Sequence, residues 1–202
     1  LAEIEASCCN IGDQGSLTIA EAVKFSKSLK AIDLSYNSIT HFGLSFLTET
    51  LKLSESIRTL NLQANRVGNK GCVLLGEALI MKSVLRDLNI SDNEITGEGI
   101  VSLAEALVYT TDLHTLKLSR NRITDSGIIE LAQSLKLNSS LSTLSIYYTQ
   151  ISDSGAAELL KTLRSIKNVT KLEMFWNHRI SGSMTTELLE FCKDSHINLC
   201  IQ

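Results

Sequence analysis

Histidine, cysteine, serine and paired carboxylates are the side chains from which an active site or metal centre would be built, and their spacing in this 202-residue sequence builds neither. His41, His114, His178 and His196 stand far apart, with no interval that gathers them at a metal ion or beside a nucleophile. No serine lies in a nucleophile turn, and neither a phosphate-loop lysine motif nor a dinucleotide fingerprint occurs. Cys8, Cys9, Cys72, Cys192 and Cys200 are an odd number without metal-ligand intervals, and the lack of a paired framework favours a reducing, cytoplasmic compartment. A disulfide between Cys192 and Cys200 is left open. Neither an enzyme nor a metal or cofactor is expected.

Aromatic and charged residues offer more. Tyr147-Tyr148 and Phe175-Trp176 hold four of the ten aromatic residues and the only tryptophan, and the two pairs are separated by one fixed interval. Tyr and Trp bury much area with few rotors to freeze, so an exposed group of them is a natural binding anchor.

That interval belongs to the whole chain. The frame L-x-x-L-x-L-x-x-N-x-I-x-x-x-G opens at Leu1, Leu29, Ile57, Leu85, Leu113, Leu141 and Val169, every start 28 residues after the last. A strict period of this length means a solenoid, because one unit cannot bury its apolar face alone. The expected organisation is one domain over 1–202, with an irregular C-terminal cap over about 181–202. A net charge of −3 gives no general attraction to a phosphate backbone, so nucleic acid is not an expected partner. Apolar runs fall far short of the roughly 18 residues of a membrane span, so no membrane partner is expected either.

Within the second copy, Leu29, Ile32 and Leu34 alternate with Asp33 and Ser35, the period of a strand buried on one face. From Gly43 the period becomes helical, with Leu47 and Leu51 on one face. Between them Asn37, matched by Asn65, Asn93 and Asn121, is expected to be buried and to tie successive chain reversals together. Cys9 falls in the same column and is expected to be a small buried substitute. The glycine column from Gly15 to Gly155 is read as a site of close approach between neighbouring helices. Asp13, Asn69, Asp125 and Asp153, two residues before these glycines, are read as helix caps.

Strands stack about 4.8 Å apart and helices about 10 Å, so the array must bend with strands inside. The expected fold is an α/β, right-handed arc with seven parallel strands on the concave face and helices on the convex face.

The motif Ile57-x-x-Leu60-x-Leu62-x-x-Asn65-x-Val67-x-x-x-Gly71 and its copies resemble the leucine-rich repeat family. The likeness is to its 28-residue class, typified by ribonuclease inhibitor and shared by the sensor domains of NOD-like receptors. It implies a non-catalytic module that binds a protein on its concave face, within a larger intracellular sensor or scaffold. A regulatory or GTPase-activating subunit, or a microbial effector acting in a host cell, is the alternative. Ribonuclease inhibitors are cysteine-rich and alternate two repeat types; the copies here are read as one type.

Counting from each frame start as offset 0, offsets 4, 6 and 7 are expected on the inner face. The expected protein contacts are Tyr147, Tyr148, Phe175 and Trp176 at the C-terminal end, with Tyr36, Asp92 and Arg120 on the same columns. Offset 1 adds a basic stripe, Lys30, Arg58, Arg86 and His114, that suits an acidic partner or is neutralised by Asp33, Asp87 and Asp92. As an isolated domain the chain is expected to be a monomer.

Overall fold

The alternation of periods resolves into a regular series of strands and helices. The structure, a computed structural model, describes residues 2–81 and 83–201; Leu1, the first frame start, lies outside them. The strands are β1 (Glu3–Glu5), β2 (Ala31–Asp33), β3 (Thr59–Asn61), β4 (Asp87–Asn89), β5 (Thr115–Lys117), β6 (Thr143–Ser145), β7 (Lys171–Glu173) and β8 (Asn198–Cys200). Between them run α1 (Gly12–Val23), α2 (His41–Leu53), α3 (Gly68–Ile80), α4 (Gly97–Leu107), α5 (Thr124–Leu135), α6 (Asp153–Leu163) and α7 (Gly182–Asp194). All strands are parallel and pair in sequence order, so the sheet is a single ladder climbed once. The seven expected strands become eight, because Asn198 pairs with Lys171 across a final interval one residue short of the repeat.

Strands β2 to β7 bury offset 3 and the following offset 5, as in Leu60 and Leu62 or Leu88 and Ile90, while Ile4 of β1 and Leu199 of β8 are half-buried. The helices return Leu47, Leu75, Leu103, Leu131 and Leu159 against them. At about 1.5–3 kcal/mol per fully buried aliphatic side chain, these columns are the main source of stability.

The asparagine column is buried and bonded as its chemistry demands. Asn65 Oδ1 accepts from the amides of Asn37 and Ile39 in the preceding repeat, and its Nδ2 donates to the carbonyls of Leu34 and Leu62. Asn121 does the same for Asn93 and Ile95. Where the column carries Thr149, the hydroxyl donates to Ile146 O and to Asn177 Oδ1 instead of accepting from the repeat behind. Cys9 is exposed and not the expected buried substitute, because it stands on the first described repeat, where only Asn37 reaches its amide. All five cysteines are free thiols, Cys192 and Cys200 included.

The caps work differently from their expectation. Asp13 does not cap its own helix; its carboxylate accepts from the amide and hydroxyl of Thr40 in the next repeat. Asn69, Asp125 and Asp153 likewise accept from the amides of Thr96, Ser152 and Ser181, and Asn69 Nδ2 donates to the Thr96 hydroxyl. Thr40 and Ser152 in turn cap α2 and α6. The glycine column makes room for this link: a Cβ on Gly43, Gly99 or Gly155 would fall 2.5–2.6 Å from Asp13, Asn69 or Asp125 Oδ1.

The copies are therefore not of one type. Helices α1, α3 and α5 open on a left-handed residue, Gly12, Gly68 and Thr124; before α2, α4 and α6 that residue comes two positions earlier in the copy, at Ser38, Glu94 and Gln150, and the first copy has one there as well, at Asn10. Short bridges then join the repeats in pairs, Thr40 with Arg66, Thr96 with Arg122 and Ser152 with Arg179. The structural period is two repeats.

Candidate functional site

The concave face is built from offsets 2 and 4, which flank the buried offset 3 on each strand. They line an open basin of about 560 Å³ that reaches from β1 to β7. Glu3, Glu5, Asp33 and Asp87 give its N-terminal half acidic character, while Lys117 and Lys171 stand in the other half. Offset 2 was outside the expected inner face, although strict alternation about a buried leucine is the signal that marks it.

Several offset 4 side chains are fixed in place. Asp33, Asn61 and Asn89 each accept from the amide two residues on, at Ser35, Gln63 and Ser91. Asn61 Nδ2 also donates to Asp33 Oδ2 across the ladder. Partial burial pushes the Asp33 carboxyl upward, but the bonds from the Ser35 hydroxyl, the Ser35 amide and Asn61 outweigh it and hold the group below its ordinary value. On β7, partial burial pushes the Glu173 carboxyl upward, yet its 2.6 Å pair with Lys171 and a bond from Ser145 hold it below its ordinary value.

Offset 6 does not form an open column. Ser35, Ser91 and Ser119 are buried there, because the chain has begun to turn inward toward the asparagine. Offset 7 is the outward position, and it has one conformation throughout: Cys8, Tyr36, Ala64, Asp92, Arg120, Tyr148 and Trp176 all have φ of 54–57°. A bond from the offset 7 amide to the offset 6 carbonyl of the next repeat holds the first six of them, as in Tyr36 N to Gln63 O and Tyr148 N to Phe175 O. Each such side chain is thereby aimed out over the rim at the C-terminal ends of the strands.

Two adjacent repeats put rings on these columns. Tyr147 and Phe175 share offset 6 and stack at 4.5 Å with an interplanar angle of 7°, the separation that neighbouring strands impose. Trp176 meets both edge-on, at 6.3 and 5.1 Å. Tyr148 turns away and contacts His178 at 6.2 Å. The four rings thus form a cluster of three and a separate tyrosine, joined across a cleft of about 140 Å³ lined by Tyr148, Gln150, Trp176, His178 and Arg179. Trp176 and Tyr148 remain 51% and 53% exposed. On its far side Trp176 borders a second cleft with Phe175, Leu189, Leu199, Cys200 and Ile201.

The other candidates are dispersed. The Tyr36 hydroxyl accepts from Gln63 Nε2, and Asp92 and Arg120 project from the rim on neighbouring repeats. The basic stripe is not neutralised as one expectation had it: among the described residues Lys30, Arg58 and Arg86 make no ion pair, and Asp33 and Asp87 bond to neutral partners instead. Arg58 donates to its neighbour Glu55 O. Among the described residues no group of three or more His, Cys, Asp or Glu is placed to hold a metal.

Stacked strand-and-helix units with a buried asparagine ladder define a leucine-rich-repeat solenoid. Comparison with known proteins agrees: residues 53–76, 82–104 and 110–132 match the family described as Leucine Rich repeat, together about a third of the chain. A solved structure of the leiomodin-1 Actin-Binding Site 2 is similar, with 18% identity and a TM-score of 0.50 over 95% of this chain and 88% of that one. At that identity the likeness speaks for the fold. No curated protein matches the sequence.

Proposed function

We propose that this chain is a non-catalytic protein-recognition module of the ribonuclease-inhibitor type of repeat. It binds a protein partner along its concave face and C-terminal rim, as the sensing or docking part of a larger intracellular protein. The observation that carries this reading is the ring cluster: Tyr147, Phe175 and Trp176 pack on one another, yet Trp176 and Tyr148 each leave half their surface in solvent beside open clefts. A core gains nothing from rings held outside it, whereas a partner side chain inserted between them gains large area at low entropy cost. The fixed polar groups of the basin, Asp33, Asn61 and Asn89, supply orientation farther along the same sheet, on β2, β3 and β4.

The test places a photo-reactive residue at Tyr148 and, as a control, at Glu130 on the exposed face of α5. Actin is one purified protein to include, since a structurally similar repeat domain carries an actin-binding site. A protein crosslinked from Tyr148 and not from Glu130 should bind Trp176→Ala more weakly by about 2 kcal/mol, roughly thirtyfold in Kd. Equal binding by the parent and Trp176→Ala, with both folded, removes the anchor from this site.

A further inference from the structure

The rim opposite the ring cluster, where helices end and the chain re-enters the sheet, carries a pattern that concave-face binding does not use. At offset 24 the first five repeats place Phe25, Leu53, Met81, Tyr109 and Leu137, each more than half exposed and Phe25 83% exposed. Because helices and strands repeat in register, these side chains form one row along one edge, spaced by the helix-to-helix distance of about 8–10 Å. The stretches that carry the row, 24–30, 52–58, 80–86, 108–114, 136–142 and 164–170, hold ten of the chain's 19 lysines and arginines but two of its 22 acidic residues. An acidic protein thus has one strongly basic edge, and its exposed apolar tips lie on that edge.

Part of this pattern has a local cause. Lys24, Lys136 and Arg164 stand at helix C-termini, where a cation is favoured by the exposed carbonyls. That cause does not reach Lys27, Lys30, Arg58, Arg86 and Lys167, which make no ion pair among the described residues. It does not reach the five apolar tips either, which a soluble fold would replace with polar residues at no loss of core.

We infer that this edge is a docking surface for an anionic phospholipid bilayer, which receives the tips of Phe25, Leu53, Met81, Tyr109 and Leu137 in its headgroup region while the flanking lysines and arginines meet lipid phosphates. Two features favour a bilayer over a protein. The tips stand one per repeat at or just beyond the helix C-termini, Leu53 as the last residue of α2, and none of them lines the basin or the clefts beside Trp176; a fluid surface needs no groove. Seven of the ten basic residues fall in the stretches of Phe25, Leu53 and Met81 and none in 108–114, so the N-terminal part of the row carries the charge that suits a field of dispersed negative charge. The absence of any helix long and apolar enough to span a membrane bears on insertion across a bilayer and not on a contact of this kind.

The test is co-sedimentation of the full chain with 100 nm vesicles of phosphatidylcholine alone or with about 30% phosphatidylserine. Binding is expected with the anionic vesicles only, and it should weaken at high salt. Phe25→Ser with Tyr109→Ser, and separately Lys27→Glu with Lys30→Glu, should each lower the vesicle affinity at least tenfold without moving the melting temperature. Trp176→Ala should leave vesicle binding unchanged, which separates this surface from the protein-binding site. No sedimentation of the parent at low salt overturns the proposal, and so does unchanged binding by the Phe25 and Tyr109 variant, which would reduce the contact to charge alone. A synthetic acidic amphipathic helix that binds this edge when vesicles do not, or self-association abolished by the same variants without vesicle binding, overturns it in favour of a protein partner or a second copy.

Discussion

At the scale of single residues, the asparagine column shows how much one amide carries. Asn93 is fully buried, donates to the carbonyls of Leu62 and Ser91 and accepts from the Val67 amide. Replacing it by Leu fills the space but strands those backbone groups, so Asn93→Leu is expected to cost about 1–3 kcal/mol, read as a lower urea midpoint at unchanged slope. The reverse change belongs at Thr149, whose short side chain cannot serve the repeat behind it. Thr149→Asn restores the missing acceptor and should raise stability by about 1 kcal/mol. Acid titration tests another residue. Since the carboxyl of Asp33 is held below its ordinary value of 3.8 in the folded chain, its contribution is fully present above that pH and is lost as the pH falls through the folded value. Asp33→Asn should therefore lower stability in the neutral region and flatten the acid limb of a stability-against-pH curve, while leaving the most acidic end in place. The buried asparagines and their role were legible in the sequence because a polar residue at a fixed interval among leucines must be satisfied. The left-handed conformation at offset 7 was not: Cys, Tyr, Ala, Asp, Arg, Tyr and Trp share no side-chain preference, and in the first six a bond to the next repeat holds it.

Elements are joined here by contacts that a single repeat does not contain. Strand and helix positions followed directly from the switch between a period of two and a period near 3.6, since those periods report burial within one unit. Cap assignment went astray because Asp13, Asn69, Asp125 and Asp153 sit at the right distance before a helix yet spend their acceptors on the repeat that follows. The two-repeat period was written only in part in the chain, as Thr40, Thr96 and Ser152 at offset 11 of the even copies against Gly12 and Gly68 in the first two odd ones; the third odd copy has Thr124 there. The columns that repeat in every copy carry no trace of it. The cross-repeat role makes a distinct prediction. Asp125 accepts from the Ser152 amide, the Ser152 hydroxyl and the Gly155 amide, so Asp125→Ala should destabilise by about 1–2 kcal/mol through the start of α6 and not of α5. Hydrogen exchange would then show faster amides at Ser154 and Gly155, with those at Ser126 and Gly127 unchanged.

For the molecule as a whole, contacts run only between successive units, so stability is close to a sum of neighbouring interfaces and the ends open first. The C-terminal unit is the weak one. Of the residues in α7 only Leu188 is buried, whereas α5 buries Gly127, Ile128, Leu131, Ala132, Ser134 and Leu135. The second cleft beside Trp176 is lined by Leu189 of α7 and by Leu199 and Cys200 of β8, so one wall of the proposed anchor stands on the part of the fold held least firmly. Amides of Asn198–Cys200 are accordingly expected to exchange orders of magnitude faster than those of Thr143–Ser145. Leu188→Ala should accelerate the former with little effect on the latter, while Leu131→Ala should cost about 2–5 kcal/mol and loosen the array from its middle. A partner seated between Phe175, Trp176 and this unit must tie α7 and β8 to the rest, because occupying the cleft adds contacts that only the closed form offers. Binding should slow exchange at Asn198–Cys200 most, and Leu188→Ala should weaken binding although its side chain lies inside the fold. Equal protection of Asn198–Cys200 and Thr143–Ser145 in the free chain would show instead that the cleft is rigid and that the anchor is formed before the partner arrives.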